Sequence, residues 1–192
     1  MTLLAMLVTA ALAASPTTIL SADSACQVLK PKDVPVEGRK SPLDSLTFLV
    51  ARRPIKLCYG RPAARGRVML GGDPIPYGKL WRTGANEPTI FFTPITIVVA
   101  GIKVPPGTYS LYTVSGEREW EVIVNRSTTQ WGHERSYTPE VQAQEVGRGK
   151  VSSEALSAPV DTFTIRSVRA GRGATLVLEW ERTRVPIPVR PA

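Results

Sequence analysis

Histidine and cysteine are almost missing from this chain, which has one histidine, His133, and two cysteines, Cys26 and Cys58, in 192 residues. Two lone thiols and one imidazole lack the ligand spacing of a structural zinc site, so no metal is expected. Any mechanism that uses histidine as a base must run through His133. Its context, Gly132-His133-Glu134-Arg135-Ser136, has no second histidine one helical turn on, which excludes the helical metalloprotease motif. No Gly-x-Ser-x-Gly elbow occurs, and Gly147-Arg148-Gly149-Lys150 has neither the spacing nor the following hydroxyl of a phosphate loop. None of these segments implies a cofactor. Long hydrophobic runs are scarce too: beyond residues 3–14 nothing approaches the length that spans a bilayer. No internal repeat is visible.

The chain does have an N-terminal apolar run over residues 3–14, closed by the small-x-small pattern Ala11-Leu12-Ala13. This reads as a signal peptide over residues 1–14, although Met1-Thr2 carries no basic residue, and it implies export to a periplasmic or extracellular space. Residues 15–39 are rich in Pro, Ser, Thr and Lys without periodicity, as in a flexible linker. Both cysteines lie beyond the leader. In an oxidising compartment they can pair; alternatively Cys58 is a buried small hydrophobe and Cys26 a free thiol.

Charge excludes less than it suggests. The 24 Lys and Arg against 16 Asp and Glu leave a formal charge of +8. The arginines are spread along the chain, with no basic run and no helix-turn-helix or stacking-aromatic motif, so no nucleic-acid partner is expected. Nor is the mature domain expected to insert into a membrane.

With 15 Gly and 17 Pro, the composition suits strands and turns, since both residues are costly inside helices. Strands are expected over 44–50, 55–60, 89–92 and 95–99, the last two separated by Pro94 as a break or bulge. Residues 63–79 read as a Gly/Pro-rich loop with one short strand at 68–70. The clearest hairpin is 108–114 with 119–125, in which Trp120, Val122 and Val124 share a face. A second pairs 162–168 with 175–181 and aligns Leu176, Leu178 and Trp180. Between the hairpins, polar residues 127–158 allow one short helix and a strand near 149–153. Eight to ten short strands predict an all-β domain over 40–190, an antiparallel β-sandwich or flattened barrel with long Gly/Pro-rich loops.

Several spaced motifs carry a resemblance. Tyr59-Gly60-Arg61-Pro62, Gly66-Arg67, Pro76-Tyr77-Gly78, Trp81-Arg82-Thr83-Gly84-Ala85-Asn86, Pro106-Gly107-Thr108-Tyr109-Ser110-Leu111, Trp120, Asn125 and Gln130-Trp131-Gly132 follow one another as in the bacterial Domain of Unknown Function 2911 family, which the chain resembles over about residues 41–189. The resemblance implies a small exported β-rich domain and supplies no catalytic residue. Gly60 stands where the family pattern carries serine, which excludes a serine nucleophile there.

The residues themselves suggest a binding site. Arg61, Arg67 and Arg82 lie in or beside the long loops, and a guanidinium holds a carboxylate, phosphate or sulfate by two parallel hydrogen bonds. Asn86 adds a donor and an acceptor, and Trp81 or Trp131 offers an apolar or sugar-facing surface. The expected ligand site is therefore Arg61, Arg67, Trp81, Arg82, Asn86 and Glu87, taking a small polar or anionic ligand such as a carboxylate, phosphate or glycan. Two alternatives stand beside it. One is an enzyme of the same pocket, with Arg82 stabilising charge and Glu87 or His133 moving a proton; Glu119 and Glu121, which share a strand face, are further acid/base candidates. The other is an envelope-associated interaction module in which Arg82 binds Glu87 or Glu119 and loop carbonyls.

Overall fold

The computed structural model describes residues 26–29 and 37–192. The expected leader and most of the linker lie outside the described residues. Eleven strands follow in order: β1 (Leu43–Val50), β2 (Arg53–Gly60), β3 (Leu80–Trp81), β4 (Thr89–Thr93), β5 (Ile97–Val99), β6 (Ile102–Val104), β7 (Gly107–Val114), β8 (Glu119–Asn125), β9 (Glu145–Ser152), β10 (Glu154–Ala170) and β11 (Gly173–Pro191). A single-turn helix, α1 (Pro139–Gln142), interrupts them. Among the described residues no helix is long and apolar enough to cross a membrane.

Two antiparallel sheets form a sandwich and do not close into a barrel. The larger runs β1-β2-β4-β7-β8-β9, with β3 on β7; the smaller runs β10-β11-β5-β6. Pro94 does more than break a strand: β4 pairs with β2 and β7 in the large sheet, whereas β5 pairs with β6 and β11 in the small one. A residue without an N–H donor thus sits where the chain changes layers.

Alternation fills the space between the layers. Trp120, Val122 and Val124 face Leu176, Leu178 and Trp180 in one core, as their spacing predicts. Trp81 stacks on Trp180 at 5.7 Å between ring centroids and meets Phe163 edge-on at 5.0 Å. The indole Nε1 of Trp81 donates to the Gly84 carbonyl, so its polar end is satisfied inside the core.

Three differences from the expected strands concern residues 68–70 and the last two strands. No strand forms at 68–70; Leu70 makes only an isolated bridge to Ile75, because the glycines around it turn the chain back on itself. β10 and β11 are far longer than the expected hairpin. β11 also folds over: Gly173 lies against the backbone of Val189 and Arg190, so its two ends run side by side, and Glu181 adopts a left-handed φ of 51° between them. A Cβ at Gly173 would stand 2.2 Å from the Val189 carbonyl, so only glycine permits this approach.

Candidate functional site

The block Trp81-Arg82-Thr83-Gly84-Ala85-Asn86-Glu87 leaves β3, loops outward and re-enters as β4. Thr83 and Asn86 take left-handed φ values of 54° and 65°. Buried hydroxyls hold these bends: Thr83 donates to the Thr113 hydroxyl at 3.1 Å, and Thr89 to the Thr83 carbonyl at 2.6 Å. Two glycines let neighbouring backbone close on the loop. A Cβ at Gly60 would sit 2.0 Å from the Ala85 carbonyl, and one at Gly132 would sit 2.3 Å from the Asn86 carbonyl. Gly60 therefore matters here as space for the loop.

Each expected site residue has an internal partner. Glu87, 3% exposed, receives Arg39 at 2.7 Å and the Leu29 N–H at 3.0 Å. Arg39 also donates to the Leu29 carbonyl and lies 5.5 Å over the Trp131 ring. Asn86 donates to the Ser41 carbonyl. Arg61 meets Asp44 at 3.3 Å and donates to the Thr164 hydroxyl at 3.1 Å, while Arg67 donates to the carbonyls of Ala63 and Ala64. Trp81 is core. Arg82 pairs with Glu134 at 3.1 Å, a partner that sequence distance hid, and with neither Glu87 nor Glu119. Arg82, Asn86 and Glu87 do come together, sealed by Gly132; Arg61 and Arg67 share no partner with them. The disulfide Cys26–Cys58, with Cα atoms 5.7 Å apart, ties the described part of the expected linker to β2 beside this cluster.

The acid/base candidates are similarly engaged. His133 Nδ1 accepts from the Arg135 N–H, capping a short 3₁₀ turn over Glu134–Ser136. Glu119 pairs with Lys150, and Glu121 with Arg148. The Arg148 guanidinium holds the Glu145 carboxyl below its ordinary range. Glu145 in turn accepts from Tyr137, whose phenol is pushed up by burial. Burial also pushes Tyr112 up to about 12, and its hydroxyl accepts from Gln130. Ser110, Tyr112 and Asn125 are on the face of the large sheet away from the core. There the crossing from β8 to β9 covers them through Gln130, Tyr137, Val141 and Ser127.

Residues 41–189 match the model of a family described as protein of unknown function (DUF2911). The chain belongs to this family. No curated protein and no solved structure matches it. In this DUF2911 domain three of the resembling motifs form one contiguous assembly: Gly60 lies against Ala85, and Gly132 against Arg82, Asn86 and Glu87.

A different end of the DUF2911 sandwich is open. A cleft of about 970 Å³ lies between the β1–β2 and β10–β11 turns, lined by Phe48, Leu49, Arg52, Ser167, Arg169 and Arg172 among others. It sits at the Arg53 end of β2, seven residues and roughly 23 Å from Gly60 at a strand rise of about 3.3 Å per residue. The Ala51 N–H donates to the Arg172 carbonyl at 2.7 Å and joins the two hairpin tips. Among the described residues, Arg52, Arg169 and Arg172 pair with no carboxylate; Arg169 reaches only the Gly171 carbonyl, at 3.4 Å. A sequence signal existed for this site. Residues 48–55 and 167–177 carry Arg52, Arg53, Arg169 and Arg172 and not one Asp or Glu.

Proposed function

We propose that this protein is an exported binding module that captures a small anion at the cleft between its hairpin tips, with Arg52, Arg169 and Arg172 as the recognising groups. The observation that carries the reading is the contrast in arginine pairing. Arg39, Arg61, Arg82, Arg148, Arg166 and Arg184 meet carboxylates; other arginines go without one, but among the described residues Arg52, Arg169 and Arg172 do so together around one open cleft. Like charges gathered without a counter-charge repel one another, and a bound anion relieves that repulsion while completing their hydrogen bonds. A cleft of this volume falls within the range of small-molecule sites. The bond between Cys26 and Cys58 supports the export part of the reading, since such links persist in oxidising compartments.

A second reading keeps the anion at the tryptophan–arginine block. Arg82 touches Glu134 through a single nitrogen, and its buried Nε has no partner among the described residues. A ligand carboxylate replacing Glu134 would engage both nitrogens side by side.

One thermal-shift series separates the two. Phosphate, sulfate, acetate and citrate are titrated against the native protein, Arg169→Gln/Arg172→Gln and Arg82→Gln, because a ligand that binds only the folded state raises Tm with its concentration. The proposal expects a shift in the native protein and in Arg82→Gln, and none in the double variant. Loss in Arg82→Gln alone moves the site to Glu134. No shift with any anion overturns both.

A further inference from the structure

The walls of the hairpin-end cleft specify more than charge. Along β10 the residues facing the other sheet are Phe163, Ile165, Ser167 and Arg169, an inward row that begins buried and apolar and ends hydroxylic and charged. The facing row of β11 runs Ala174, Leu176, Leu178 and Trp180, with its smallest member at the cleft and paired in register with Arg169. Small Ala174 opposite polar Ser167 and Arg169 leaves unfilled the space that larger side chains occupy deeper in. Phe48, 6% exposed, belongs both to the cleft wall and to the core. Polarity therefore falls from the rim inward. Leu49 and Val168 add exposed apolar surface beside the mouth, at 58% and 45%.

We infer that the cleft takes a single-chain anionic amphiphile: a hydrocarbon chain ending in a carboxylate, with the head among Arg52, Arg169 and Arg172 and the chain running toward Phe48 and Ala174. This rests on the anion-binding reading above and adds the ligand's second half. A bare anion would satisfy the guanidiniums and leave the apolar floor wet; a neutral hydrocarbon would dry the floor and leave three cations without a counter-charge. Only a molecule with both parts uses both surfaces, and each methylene drawn from water onto the floor raises affinity about three- to fourfold.

The turn over the cleft is consistent with a site held open for use. Ala51 and Arg52 form a two-residue hairpin loop with φ values of 49° and 64°, where Asn-Gly is the relaxed choice. Arg52 holds a left-handed conformation that costs an ordinary side chain, and it does so where its guanidinium lines the opening.

Calorimetric titration of the full chain with monomeric acetate, hexanoate, octanoate and decanoate, with decanol as the uncharged control, tests the inference. Affinity is expected to climb at least tenfold from hexanoate to decanoate, and decanol to bind at least tenfold more weakly than decanoate. Ser167→Phe fills the passage while keeping every arginine, and should abolish the chain-length dependence but spare acetate or phosphate binding. Should that variant misfold, Arg169→Gln/Arg172→Gln, on exposed positions, should instead lower decanoate affinity at least tenfold with an unchanged circular dichroism spectrum. Equal affinity for acetate and decanoate overturns the amphiphile and leaves the anion site standing. Absence of binding by every anion overturns both. Binding to phosphatidylglycerol vesicles without binding to monomeric decanoate makes this end a membrane-docking surface and also overturns the inference.

Discussion

The two ends of β2 treat arginine in opposite ways. At the Gly60 end, Arg61 and Arg82 meet carboxylates, and Arg39 is locked between Glu87, the Leu29 carbonyl and the Trp131 ring. At the Arg53 end, Arg52, Arg169 and Arg172 surround a cleft with no carboxylate beside them among the described residues. The motif-rich end is thus the fastening of the sandwich, and the motif-poor end has the chemistry still free to meet a ligand. Clustered motif residues mark a demanding piece of folding as readily as a binding site, because a loop with two left-handed residues and two backbone-to-backbone approaches tolerates few substitutions.

If this contrast holds, disturbance at the fastened end should cost stability and disturbance at the open end should not. The largest effect is expected for Glu87→Ala, which leaves Arg39 and the Leu29 N–H without their buried acceptor; a loss of about 3–5 kcal/mol in urea unfolding is anticipated for breaking such a pair. A loss below 1 kcal/mol would mean that Arg39 finds other partners and that the fastening is not where the stability resides. Cys26→Ser should follow closely. Opening a link across 32 residues of chain costs roughly 3–4 kcal/mol by loop-closure entropy. Equal stability with and without reductant would remove the link from the comparison.

An intermediate effect concerns the outer face of the large sheet. Tyr112 is neutral and buried, with its phenol raised to about 12 by burial. In the unfolded chain it ionises near 10. Its contribution to stability is therefore complete below pH 10 and drains away as pH rises from 10 to 12. Tyr112→Phe cannot ionise there, so its stability relative to the native protein should improve across that interval, as measured by denaturation at pH 9 and pH 11.5. A constant difference would place the phenol in contact with solvent.

The smallest effects are expected at the open end, where their sign is informative. Ala51→Asn/Arg52→Gly supplies the residues that the left-handed turn prefers and should raise stability by about 1 kcal/mol while weakening decanoate binding. Arg169→Gln should change stability by less than about 0.5 kcal/mol, as exposed substitutions do, and should weaken binding all the same. Stability lost in Arg169→Gln would mean that this arginine is a fastening too, and the contrast between the ends would disappear.

Some of the molecule is written in local pattern. Trp120, Val122 and Val124 alternate with Glu119, Glu121 and Ile123, and that period of two is enough to say which side is inward. The same holds for Leu176, Leu178 and Trp180. Pro94 announces that a strand must stop, but whether the chain bulges or crosses to another sheet depends on which edges await it. Glu134 lies 52 residues from Arg82 and Glu87 lies five away, yet Arg82 pairs with the distant one. Glu87 is claimed instead by Arg39, in a stretch that reads as linker.

Sequence alone determined the all-β class, the inward faces of the hairpins and the family, because each follows from short-range alternation, turn residues or ordered motifs. The tertiary structure decided which arginines are consumed and which remain available. Ion pairing depends on distances of a few ångströms between groups brought together by the sheets, and those distances do not follow from separation along the chain.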